Sequence, residues 1–186
     1  MHSWQPAPCP LPTRWTASVD AKNPHPEHPR PQLVRPRWQS LNGVYEAAIR
    51  PRAEGRPLVF DRSILVPFPV ESALSGVGHR LRADERLWYR RTFTVPRAPE
   101  RHTWLLHFGA VDWRAEVWLD GRALGSHEGG FEPFSFDVGV LGADHELVVA
   151  AWDPTDAGPQ PRGKQANAAP LLLRPVFYTP ASGIWQ

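Results

Sequence analysis

Cysteine is nearly absent: Cys9 is the single one in 186 residues. That excludes an internal disulfide and a structural zinc site built on cysteine pairs. Cys9 is expected to be a free thiol in an extended N-terminal segment. Long apolar runs are absent as well. No stretch could span a bilayer, and the first thirty residues lack a basic region followed by an apolar one. No membrane partner is expected, and the cytoplasm is the default location. Charge of one sign is scarce too, with a net charge of +2 and basic residues, mostly Arg, interleaved with acidic ones. Neutralising phosphates needs clustered cations, so nucleic acid is not an expected partner. Motifs that carry chemistry are also missing. There is no phosphate loop, no dinucleotide fingerprint, no His-Glu-x-x-His and no Gly-x-Ser-x-Gly. His25 and His28 have no third ligand nearby. Ser75, His79 and Asp84 have the residue types of a triad, but lie in a loop without a nucleophile elbow. The chain is expected to hold no catalytic residue, no metal and no cofactor.

Punctuation and tryptophan are in excess, with 22 Pro, 14 Gly and nine Trp. A helical chain tolerates far less proline. Residues 1–36 carry recurrent proline with little apolar patterning between, the mark of an extended segment that wraps a folded body or stays outside it. From residue 37 the pattern changes to period two. Leu41, Gly43, Tyr45, Ala47 and Ile49 share one side of a strand, and Tyr89, Phe93 and Val95 share one side of another. A short apolar run at residues 63–66 ends at Pro67. Trp104, Leu106 and Phe108 alternate, as do Val111, Trp113, Ala115, Val117 and Leu119. Asp112, Glu116 and Asp120 then fall on the opposite face, predicted to be solvated or paired with arginines. Asp120-Gly121 suits a tight hairpin turn, with a short return strand at residues 122–125. Phe134, Phe136 and Val138 mark another strand, and residues 147–152 one more. No helical period is sustained over ten residues. Many short strands separated by turns predict an all-β sandwich or barrel.

Trp104 and Trp113 are expected in the core, while Trp118 is out of phase with its strand's core face and is expected either to stack on a sugar ring or, the commoner role, to cover the outside of the sandwich. From Asp153 to Pro175 the alternation collapses into a loop rich in Pro, Gly, Gln and Asn. Loops of this length in compact domains are commonly functional, and binding residues concentrate on loops held by a rigid scaffold. Asp153 and Asp156 stand at its mouth, where Asp before Pro also favours a turn.

Several segments, in order, resemble the N-terminal sugar-binding domain of glycoside hydrolase family 2. They are Trp38-Gln-Ser-Leu-Asn-Gly43, Val66-Pro-Phe-Pro-Val-Glu-Ser-Ala73, Leu87-Trp-Tyr-Arg-Arg-Thr-Phe93 and Leu106-His-Phe-Gly-Ala-Val-Asp-Trp113. Val117-Trp-Leu-Asp-Gly121, Gly125-Ser-His-Glu-Gly-Gly-Phe131, Asp153-Pro-Thr-Asp156, Pro161-Arg-Gly-Lys-Gln165 and Tyr178-Thr-Pro-Ala-Ser-Gly-Ile-Trp-Gln186 follow. The resemblance implies a jelly-roll β-sandwich of the galactose-binding-domain-like type over residues 37–186, behind the Pro-rich extension. It implies a non-catalytic domain of a retaining enzyme that hydrolyses O-glycosidic bonds, inactive alone. The partners implied are a carbohydrate substrate and, downstream in the same enzyme, an immunoglobulin-like sandwich and a TIM barrel whose two glutamates do the chemistry.

By the same resemblance a late loop leans over the barrel mouth, which assigns substrate binding to Asp153, Asp156, Arg162, Lys164, Gln165 and Tyr178. Where β-galactosidases and β-glucuronidases carry a sugar-contacting Asp, this chain has Phe177. A stand-alone carbohydrate-binding module is the competing reading. A final strand cut short at Gln186 would leave an edge unpaired and favour association.

Overall fold

The computed structural model describes residues 4–9, 11–28, 33–96, 102–167 and 177–186. Part of the proline-rich segment and residues 168–175 of the long loop lie outside them. Among the described residues there is no α-helix, and the regular structure is ten strands with short 3₁₀ turns, two of them at Thr16–Ser18 and Ala73–Ser75. The strands are β1 (Gly43–Pro51), β2 (Arg62–Val66), β3 (Glu85–Thr94), β4 (Trp104–Phe108), β5 (Val111–Asp112), β6 (Arg114–Leu119), β7 (Arg122–Glu128), β8 (Phe134–Gly139), β9 (Asp144–Trp152) and β10 (Gly183–Ile184).

Six of them form one antiparallel sheet in the order β2-β1-β3-β9-β6-β7. The pairs β4-β8 and β5-β10 make up the facing layer. Alternation decides what lies between the layers. Tyr45, Ala47, Ile64, Leu87, Tyr89, Ala115, Val117, Leu147 and Val149 project from the large sheet. They meet Leu106, Phe108, Val111, Val138 and Ile184 of the small ones. The expected jelly-roll sandwich is thus the observed architecture.

The outer face of the large sheet carries a second, smaller apolar cluster of Ala48, Phe60, Trp88, Val148 and Ala150. Trp118 stacks on Trp88 there, with ring centroids 5.6 Å apart. Covering the outside is therefore the role Trp118 takes. Arg90 and Arg86 rim this cluster, paired with Glu46 and Glu116, so Glu116 has the arginine partners expected of it. Asp120 and Gly121 both have positive φ, at 51° and 77°, as the tight turn requires. The return strand runs on to Glu128, three residues further than its alternation indicated.

Two sequence readings need correction at one place. Asp112, expected on a solvated face, is 4% exposed. Trp113, expected in the core, is only half-buried. The reason is topological. β5 pairs with β10 in one layer, and β6 pairs with β7 and β9 in the other. The chain changes layers at Trp113, so a single alternation cannot assign faces on both sides of it.

The N-terminal segment is seated on this body. Ala7 N–H donates to the Ala73 carbonyl at 2.8 Å, and the Trp4 indole N–H donates to the Ser75 carbonyl at 3.2 Å. Pro24 is buried, and the His25 ring lies 5.2 Å from that of Phe68. Cys9 is exposed. No helix among the described residues is long and apolar enough to cross a membrane.

Candidate functional site

Polar residues converge at the end of the sandwich where β9 finishes beside the start of β6. There the chain after Trp152 leaves the sheet. Asp153, 3% exposed, turns it: one carboxylate oxygen accepts from Thr155 N–H at 2.6 Å, the other from the Thr155 hydroxyl at 3.1 Å. That second oxygen also accepts from the Ser182 hydroxyl at 2.8 Å. Asp153 thus grips the chain itself, joining the start of the long loop to the entry of β10. Glu71 does the same from the loop after β2. Its carboxylate accepts from Ser182 N–H at 2.9 Å and from Leu81 N–H at 3.5 Å. Tyr89, fully buried in the core, accepts from Ile184 N–H at 3.1 Å. Three side chains from three elements therefore fix residues 182–184.

Asp112 completes the group, and it differs in kind. No hydrogen bond to its carboxylate joins it to a described residue, although the residue is almost wholly buried. Gly130 lies directly against it. A Cβ at Gly130 would come within 2.5 Å of the Asp112 carboxyl, so any larger residue there would displace the acid. Burial pushes the Asp112 carboxyl up to about 7, and the nearby charges of Asp153 and Glu71 add to the rise. Burial raises Glu71 to about 7 as well, against the opposing pull of its hydrogen bonds from Ser182 and Leu81. Removing water from a carboxylate penalises its charged form, and like charges nearby do the same. Near neutral pH these two acids are partly protonated and can donate a hydrogen bond as well as accept one.

The long loop folds back over this platform. Gln165 and Tyr178 form a parallel bridge, with Tyr178 N–H donating to the Lys164 carbonyl and Ala166 N–H to the Tyr178 carbonyl, both at 3.1 Å. The buried Gln165 side chain accepts from Ala181 N–H at 2.6 Å. Gly163 has φ of +58° and allows the turn that brings Lys164 N–H to the Tyr178 hydroxyl at 3.4 Å. Asp156 accepts from Asn167 N–H at 3.1 Å and lies 3.8 Å from Arg162.

The six residues singled out in the sequence are therefore brought into one neighbourhood, but in two layers. Asp153 and Gln165 are buried and hold the backbone. Asp156, Lys164 and Tyr178 are exposed, and Arg162 is half-buried. Glu71, Asp112 and Ser182 were not singled out. Alternation argued against Asp112, while Glu71 and Ser182 stand in loops where a lone polar residue carries no signal.

Of the triad types considered, Ser75 is buried and donates its hydroxyl to the Ser72 carbonyl at 2.7 Å. His79 pairs with Glu85 at 2.8 Å. Both serve loop structure.

Ser182→Ala removes the hydroxyl that ties β10 to Asp153 and leaves a buried carboxylate oxygen short of a partner. It is expected to destabilise the chain by about 1–2 kcal/mol in urea denaturation.

The fold places the chain among galactose-binding-like β-sandwiches. The family described as "Glycosyl hydrolase 2 galactose-binding domain-like" matches residues 78–172, and the chain belongs to that family. A β-glucuronidase of Paenibacillus borealis is 28% identical over an alignment of 130 residues that covers 65% of this chain and 22% of that protein. Among solved structures, the Faecalibacterium prausnitzii β-glucuronidase matches with a TM-score of 0.52 at 31% identity, covering 62% of this chain and 20% of that one. The Lactobacillus rhamnosus β-glucuronidase matches with a TM-score of 0.52 at 27% identity, covering 62% and 21%. The chain thus spans about a fifth of the length of these relatives.

Proposed function

We propose that this chain is the non-catalytic sugar-binding domain of a retaining glycoside hydrolase, and that its polar end completes the substrate pocket of a TIM barrel in the same enzyme. The observation that carries this reading is the two-layered site. A buried set (Glu71, Asp153, Gln165, Ser182) locks two loop segments together. An outer set (Asp156, Arg162, Lys164, Tyr178) is left to face a ligand. Binding groups work best when a second layer fixes them before the ligand arrives. The relatives support a β-glycoside as substrate, and a β-glucuronide is the first to be tried. Lys164 offers a cation to a sugar carboxylate, and the Tyr178 ring offers an apolar face to a pyranose. The downstream domains are an immunoglobulin-like sandwich and the barrel, which supplies the two catalytic carboxylates.

The isolated chain is expected to turn over no nitrophenyl β-glycoside. In cells that make it, an antibody against the domain should detect a product several times larger than 21.0 kDa and co-precipitate glycosidase activity. A 21.0 kDa product with no associated glycosidase activity contradicts the reading.

A further inference from the structure

A cavity of about 310 Å³ opens between the N-terminal segment and β2, the edge strand of the large sheet. It is lined by Trp4, Gln5, Asp61, Arg62, Ser63, Gly76 and Val77, so it shares no residue with the polar site described above. We propose that this cavity is a second carbohydrate-binding site, sized for one pyranose unit. The reading is independent of the function proposed for the polar end.

Size comes first. Small-molecule sites run from about 300 to 1,000 Å³, so this one takes a single ring and not a chain of them. Its platform is preorganised. The Trp4 indole N–H is tied to the Ser75 carbonyl at 3.2 Å, and Ala7 N–H holds the same segment to Ala73. The Trp4 ring is laid so close on Gly76 that a Cβ there would come within 2.8 Å of it. An indole fixed at its N–H and packed on a glycine cannot swing away, so little conformational entropy is lost when a ligand stacks on it.

The polar lining matches a polyol. A sugar ring presents an apolar C–H face and a belt of hydroxyls, each both donor and acceptor. The indole supplies the apolar contact. Arg62 supplies only donors, Gln5 supplies donors and an acceptor, and Asp61 supplies acceptors. Both Arg50 contacts fall on one Asp61 oxygen, at 3.2 Å, and leave the other available. No described residue hydrogen-bonds the Arg62 or Gln5 side chain, and both residues are exposed. Asp61 balances Arg62 within the lining, but Arg50 behind Asp61 adds a positive charge, so inorganic phosphate is the control that separates a polyol site from an anion site.

The test is a titration of the ¹⁵N-labelled chain, followed by amide shifts, with methyl β-D-glucopyranoside, methyl β-D-galactopyranoside and inorganic phosphate as probes. Saturable shifts are expected at Gln5, Arg62, Gly76 and Val77 with one of the glycosides, at a Kd on the order of millimolar. Trp4→Ala should abolish them. That variant also releases the N-terminal segment, so Arg62→Ala and Gln5→Ala provide the cleaner evidence. Each should weaken binding by about ten-fold while the remaining spectrum is unchanged. Three results overturn the proposal: no saturable shifts with either glycoside, shifts that persist unaltered in both Arg62→Ala and Gln5→Ala, or shifts with phosphate alone. Shifts confined to residues 162–167 and 178–182 overturn it too, while leaving the polar end as a sugar site.

Discussion

Stability against urea will fall as the pH is raised from about 5 to about 8, by on the order of 3 kcal/mol, and level off above that. Glu71 and Asp112 set this window. Their ordinary values are 4.5 and 3.8, and in the folded chain both rise to about 7, chiefly through burial. An acid whose folded value is raised holds its proton in the fold and gives it up on unfolding. Between the two values the native state therefore binds more protons than the unfolded one. Its advantage is complete below the unfolded values and is lost as pH climbs through about 7. The charges of Glu71 and Asp153 add to the rise at Asp112, so the ionisations of the two raised acids are coupled and their separate shifts do not add. Asp112→Asn is the informative variant. It keeps the shape of the side chain against Gly130 and removes one ionisation. The expected result is a shallower pH dependence and a gain in stability at about pH 8. Identical slopes in the two proteins contradict this account of the cluster.

Gly183→Ala will destabilise the chain by about 2–4 kcal/mol, because two independent demands meet at that residue. Its φ is +89°, a backbone geometry that a residue with a Cβ adopts only under strain. Its α-hydrogens also lie against the Tyr89 hydroxyl, and a Cβ would clash with that oxygen. The hydroxyl cannot retreat without giving up Ile184 N–H, which it accepts at 3.1 Å. β10 pairs with β5 through Gly183–Asp112 and Ile184–Val111, so displacing it also uncovers Asp112. Combining the change with Tyr89→Phe removes the clash with the hydroxyl, but it leaves the φ strain and a tight approach to Leu87 and takes away the acceptor of Ile184 N–H. The double variant is expected to recover part of the loss. Amide exchange at Ile184 should accelerate in Gly183→Ala more than exchange in β3 and β9. A Gly183→Ala protein with native stability and native exchange at Ile184 would contradict the close packing argued for this strand.

Much of this architecture is legible in the sequence because most strands stay within one sheet. Tyr45, Tyr89, Ala115, Val117 and Val149 alternate with polar or outer-face residues and reach the core that alternation assigns them. Alternation fails where the chain leaves its sheet. Asp112 and Trp113 bracket such a crossing, and one period-two rule laid over both sides puts the acid in solvent and the indole in the core. Trp118 was readable as an outer residue, but its partner Trp88 was not, since both faces of a central strand can be apolar when Phe60 folds over one of them.

The site was half legible. Loop length and composition pointed to residues 153–175, the family resemblance narrowed this to Asp153, Asp156, Arg162, Lys164, Gln165 and Tyr178, and the structure joins Gln165 to Tyr178. Glu71 could not be found this way. Its partners Ser182 and Leu81 are 111 and 10 residues away in the chain, and only the fold brings them together. The same holds for Gly130, whose lack of a side chain has meaning only once the Asp112 carboxyl is known to lie against it.

The polar end as part of a glycosidase pocket is tested most directly by steady-state kinetics of Tyr178→Ala in the intact enzyme, with nitrophenyl β-glucuronide as first substrate. Tyr178 is 54% exposed, so its removal disturbs the fold little. The account predicts that kcat/KM falls by about ten-fold or more while the unfolding midpoint is unchanged. An enzyme that keeps full kcat/KM without the Tyr178 ring contradicts it.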